Sequence, residues 1–193
     1  MLSLDERIDL LERDLTATPM RISTHSDLPF AVLRYEPGDE WEMRRRTRQL
    51  KNRLEQTGKV VEVISLADLL WHAIETTEGL DAIVTVERDY DFRYAQDAVT
   101  TILSDPELCP LTDMLVERTR PLDPRRHVVF LTRAAAMAPN IYQMSRMLDE
   151  MQGKTEVPAI LFYPGTLEGN FGLRFMDLQH HEAMGNYRVK IYG

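Results

Sequence analysis

Apolar residues open the chain at Leu4, Ile8, Leu11 and Leu15, spacings of four, three and four that gather on one side of a helix. Ser3 and Glu6 supply a capping box at its start. The pattern predicts an amino-terminal docking helix within residues 1–15, followed by a connector from Thr16 to Pro29 that holds two prolines and small polar residues. The period then changes. Phe30 to Tyr35 (FAVLRY) is an apolar run of strand length, closed by the turn signal Glu36-Pro37-Gly38. From Asp39 to Thr57 helical spacing returns, with Met43, Thr47, Leu50 and Leu54 as the inward stripe and Gly58 as the stop.

The same alternation continues along the chain. Val60 to Ile64 predicts a second strand, and Ser65 with Asp68 caps a helix that buries Leu66, Leu69, Leu70 and Ile74. A helical stretch from Gly79 to Leu103 interrupts the rhythm, and Leu111 to Arg118 adds a short helix between prolines, so residues 79–120 read as a helical insert. Val128 to Leu131 and Val157 to Tyr163 are further strands, flanking a helix opened by Pro139-Asn140 and stopped at Gly153. Tyr187 to Tyr192 alternates strictly, which suits a half-exposed edge strand paired antiparallel. Strands separated by helices predict one α/β domain over residues 1–193: an open, mainly parallel, Rossmann-like sheet of about five strands with helices on both faces.

Composition fits that expectation. The chain has 193 residues, 44% hydrophobic and 28% charged, enough for one sizeable core. Its longest uninterrupted apolar runs, Ala134 to Ala138 and Ala159 to Tyr163, are five residues each and far too short to span a membrane. The amino terminus lacks the apolar block of a secretory signal, and the lone Cys109 excludes an intrachain disulfide, so a cytoplasmic location is expected. A net charge of −8 opposes nucleic-acid binding unless bases collect on one face. They do collect along the helix from Asp39, at Arg44, Arg45, Arg46, Arg48, Lys51 and Arg53, where a solvated helix face is the simpler reading beside a phosphate-binding patch.

In open sheets ligands bind beyond the carboxyl ends of the strands, which directs attention to the loops there. Gly165, Gly169 and Gly172 follow one strand, but their spacing matches neither the P-loop nor the dinucleotide pattern. They read as a punctuated connection into a terminal hairpin, with Arg174 as one anion contact. The loop after Leu131 offers Arg133 and Asn140, a helix-capping residue first and a ligand contact second. His180-His181-Glu182 reads as surface polar residues, because sequence neighbours point in different directions and rarely share one ion, and the other histidines stand singly. The methionine-rich stripe from Ile141 to Met151 reads as core before partner surface. No catalytic, cofactor-binding or metal-binding residue is assigned. The candidate anion or partner contacts are Arg44, Arg45, Arg48, Arg133, Asn140, Gly165, Gly169 and Arg174.

The runs ISTHSDLPFAVLRY, DEWEMRRRTRQL, VISLADLLW, LDEMQGKTEVPAILFYPGTLEG, LRFM and GNYRVKIYG resemble the BrxB family of BREX (bacteriophage exclusion) loci, over Ile22 to Gly193. The resemblance implies a part in antiviral defence alongside a DNA methyltransferase, an ATPase and PglZ, an alkaline-phosphatase-like protein. It further implies a non-enzymatic adaptor without a cofactor, docking on another BREX component and foremost on PglZ. A homodimer, a nucleotide- or DNA-binding module, and a metal-dependent nuclease or hydrolase active only in the assembly stand as alternatives.

Overall fold

A computed structural model describes residues 2–22, 29–168, 172–178 and 189–193. Helix α1 (Leu4–Thr16) begins at the expected capping box: Ser3 Oγ accepts from the Glu6 amide at 3.2 Å, and Glu6 Oε2 accepts from the Ser3 amide at 2.7 Å. Strand β1 (Phe30–Tyr35) is buried along its whole length. Helix α2 (Glu40–Gln56) buries Met43, Thr47, Leu50 and Leu54, the stripe its spacing demands. Leu50 and Leu54 are fully covered, and each such leucine stabilises the packing by roughly 2 kcal/mol.

Beyond α2 come β2 (Val60–Ser65), α3 (Leu66–Thr76), α4 (Leu80–Asp89), α5 (Phe92–Ser104), α6 (Leu111–Thr119) and β3 (His127–Thr132). Then follow α7 (Met144–Glu150), β4 (Ala159–Glu168), β5 (Gly172–Phe175) and β6 (Lys190–Tyr192). The sheet runs β2-β3-β4-β1-β6, with every pair in this path parallel. Consecutive β1 and β2 are thus separated by the two strands that follow them, and α2 bridges the gap. One face of the sheet packs on α1 and α2 through Leu11, Leu33, Phe130, Phe162 and their neighbours. The opposite face packs on α3 to α7 through Val32, Val129, Leu161 and the helices' apolar sides. The architecture is α/β, with a mostly parallel open sheet and helices on both faces.

Several local expectations are corrected. The edge strand β6 lies parallel to β1, with Ala31 opposite Lys190 and Leu33 opposite Tyr192, rather than antiparallel. Alternation reports which face is wet, and strand direction is set by the chain's return path. The stretch after Gly79 is two helices: Asp91 Oδ1 accepts from the amides of Arg93 and Tyr94 at 2.7 and 3.1 Å and starts α5 afresh. Asn140 does not cap α7, which begins four residues later behind Gln143. The Ile141 carbonyl that would enter such a helix instead accepts from the Thr100 hydroxyl of α5 at 3.0 Å.

The largest correction concerns Pro164-Gly165, a turn signal through which β4 runs without turning. At this point β4 leaves β1, where Tyr35 stands opposite Pro164, and takes up β5 as an antiparallel partner, with Gly165 opposite Phe175. Proline fits a handover because it has no ladder donor to lose. Glycine is required next to it, since a Cβ at Gly165 would lie 2.2 Å from the Arg174 carbonyl oxygen and 2.7 Å from Tyr163 Cε1.

Candidate functional site

Helix α2 leaves the carboxyl end of β1 and descends toward the start of β2, the outermost strand. It does not cover the upper half of that strand, where Val63 is 42% exposed. The result is a cleft of about 420 Å³ between α2 and the carboxyl-terminal halves of the strands. Its floor is Val63, Thr132 and Phe162, and its α2 wall carries Trp41, Arg44, Arg48 and Lys51. Arg133 closes the rim from the loop after β3.

Among the described residues, four basic side chains therefore face one cleft, accompanied by one acid, Glu40. Glu40 is already engaged, because it accepts from the buried Tyr35 hydroxyl and from Arg44 Nε at 2.9 Å. Burial, followed by the Glu40 contact, pushes the Tyr35 hydroxyl far above the usual tyrosine range, so it remains a donor. Arg44 also lies over Trp41, 4.6 Å from the ring centre. Lys51 donates to the Val61 carbonyl at 2.6 Å and pairs with Glu55, while Arg133 pairs with Asp68 at 3.1 Å. Arg133 holds a left-handed backbone with φ of 58°, a conformation that costs a non-glycine residue about 1–2 kcal/mol. Arg48 is exposed and makes no hydrogen bond or ion pair among the described residues.

The structure thus brings Arg133 to Arg44 and Arg48, one turn apart on α2 and more than 80 residues earlier in the chain. Arg45 is excluded from the cleft and held on the outside of α2 by a two-pronged contact with Glu42 at 2.6 and 3.0 Å. Gly165 is buried, and its carbonyl accepts from Arg34 Nη1 at 3.1 Å. Arg174 lies on β5, Asn140 on an exposed turn, and Gly169 outside the described residues, as do His180, His181 and Glu182. The methionines of α7 and its carboxyl-terminal cap are core: Met144, Met147 and Met151 are all buried. Trp41, Val63 and Phe162 also line the cleft and were not singled out by sequence, whereas Lys51 was read with the basic run of α2 but not as a contact. The signal for Trp41 lay in its spacing from Arg44 and Arg48 on the helix.

A second surface lies on the opposite face of the sheet. Tyr90, Phe92 and Tyr94, at the elbow between α4 and α5, are 70%, 58% and 57% exposed, and the two tyrosine rings meet at a 44° tilt with centroids 5.2 Å apart. Seven acids and only two arginines lie between residues 75 and 97. Among the described residues no group of three or more His, Cys, Asp or Glu side chains could hold a metal ion, and no helix is long and apolar enough to cross a membrane.

By its fold the chain is an α/β protein with a mostly parallel open sheet flanked by helices. A family model described as BREX protein BrxB matches residues 62–191, and the chain belongs to that family. It is accordingly a component of a BREX phage-defence system. No curated protein and no solved structure matches the chain.

Proposed function

We propose that this BREX component is a non-enzymatic adaptor and that it docks on PglZ through the α4–α5 elbow. The observation that carries this reading is the exposure of three consecutive aromatic landmarks, Tyr90, Phe92 and Tyr94, on a helical corner. Aromatic side chains left in water at one corner forgo burial that another protein can supply, and such residues dominate binding energy at interfaces. The elbow lies inside the family-matched span, and its acidic flanks suit a partner surface rich in lysine or arginine. The rim charges steer association, and the rings supply the anchor.

Co-expression with each BREX component, followed by size-exclusion chromatography, tests the proposal. The chain is expected to co-elute with PglZ, and the triple change Tyr90→Ala, Phe92→Ala, Tyr94→Ala is expected to weaken the complex by about a hundredfold. These side chains are exposed, so the triple variant should keep the parent's circular dichroism spectrum. Absence of co-elution with PglZ, or co-elution unchanged by the triple variant, defeats the reading.

A further inference from the structure

We propose that the cleft between α2 and the strand ends is a binding site for a nucleoside phosphate, with Arg48 and Arg44 taking the phosphate and Trp41 the base. The starting point is charge placement. The chain as a whole carries −8, yet among the described residues four cations and a single acid line this one cleft. Of the basic residues on α2, Arg44, Arg45, Arg46, Lys51 and Arg53 each have a carboxylate partner. Arg48 alone has none among the described residues, and it lines the cleft. A guanidinium offers planar paired donors that match phosphate oxygens, so no glycine-rich loop is needed to hold the anion.

The walls narrow the ligand class. Trp41 is 78% exposed at the rim, and the half-exposed Val63 adds apolar surface below it. Bare phosphate would leave that surface wet, whereas a nucleoside would cover it by stacking on the indole. The volume suits a ligand of small-molecule size and has no room for a duplex. The ligand is therefore a free nucleotide or the phosphorylated end of a single strand. The site is on the opposite sheet face from the aromatic elbow and does not depend on the docking reading.

The test uses the full chain carrying Trp71→Phe, which makes Trp41 the only indole of the two in the sequence. Trp41 fluorescence is titrated at low salt with adenosine monophosphate, adenosine, inorganic phosphate and a 5′-phosphorylated single-stranded oligonucleotide. Saturable quenching by the monophosphate is expected, with adenosine and phosphate each weaker by about tenfold or more. Arg48→Glu should weaken the monophosphate by about tenfold or more, whereas Arg45→Glu, the same charge change outside the cleft, should leave it unchanged. Arg133→Ala, on a separate element, should weaken it by about threefold. Tighter binding of the oligonucleotide than of the monophosphate assigns the strand end, and the reverse assigns the free nucleotide. Phosphate binding as well as the monophosphate, an absent response, or equal losses from the Arg45 and Arg48 changes overturns the proposal. Co-elution of Arg48→Glu with PglZ is read in parallel, so failure of one reading is told apart from failure of the other.

Discussion

The two helical coats of the sheet differ in where they place charge and in shape. On the α1–α2 side basic side chains gather in a concave cleft, where Arg44, Lys51 and Arg133 are ordered by neighbouring carboxylates and Arg48 is not. On the α3–α7 side it is acidic and convex, with its aromatic rings pushed out at the α4–α5 corner. A concave cationic surface suits a small anion, and a convex aromatic one suits another protein. The contrast has a structural origin: α2 is a single crossover spanning two strands and leaves part of β2 uncovered, while five helices share the other face and crowd one corner outward.

The separation of the two surfaces can be broken at the element beneath both. Gly165→Ala should destabilise the whole fold by about 3 kcal/mol, because the new Cβ meets backbone in β5 and the handover of β4 must shift. A lowered urea midpoint, together with loss of both binding activities, is the expected result. A midpoint unchanged from the parent would falsify the close-approach account.

The α1 side can be loosened by itself. Asp14 is 5% exposed, and its Oδ2 accepts from Lys190 Nζ at 2.6 Å and from Tyr192 Oη at 2.8 Å, tying α1 to β6. Burial raises this carboxyl, but the bonds from Lys190 and Tyr192 outweigh it and hold the group below the usual carboxylate range. Asp14→Asn should cost about 2 kcal/mol at neutral pH. Because the folded-state value is depressed, the stabilisation is complete above the unfolded value near ~4 and is lost as pH falls through the folded one. Urea midpoints of parent and variant should therefore converge in acid, and a constant gap at all pH values speaks against the tie.

The smallest effect belongs to the elbow. Asp91→Ala removes the cap that restarts α5 and should cost about 1 kcal/mol, with amide exchange rising first at Arg93 and Tyr94. Cleft binding should not change. Faster exchange in α2 as well would show the two coats to be coupled.

Legibility in sequence followed the range of the forces involved. The Ser3 cap, the α2 stripe and the limits of β1 depend on residues within a turn or two of each other, and periodicity displays them. The passage of β4 through Pro164-Gly165 depends on Arg174 and Tyr35 standing alongside, which no local pattern reveals. Asn140 reads as a cap because the competing bond, from Thr100 to Ile141, spans 41 residues of sequence. For the cleft, Arg44, Arg48 and Arg133 were legible as separate residues. Their meeting depends on β3 lying beside β2 under α2, a matter of strand order that sequence spacing does not encode.

The interleaved strand order restricts how the molecule can be taken apart. Because β1 and β2 are held together only by strands that come later in the chain, a fragment ending at α3 would have two ribbons with a vacancy two strands wide between them. No amino-terminal piece can keep the cationic recess without β3 and β4, although most of the recess's charged side chains lie before residue 52. Dissection of this protein must therefore proceed by point changes on the intact chain rather than by truncation.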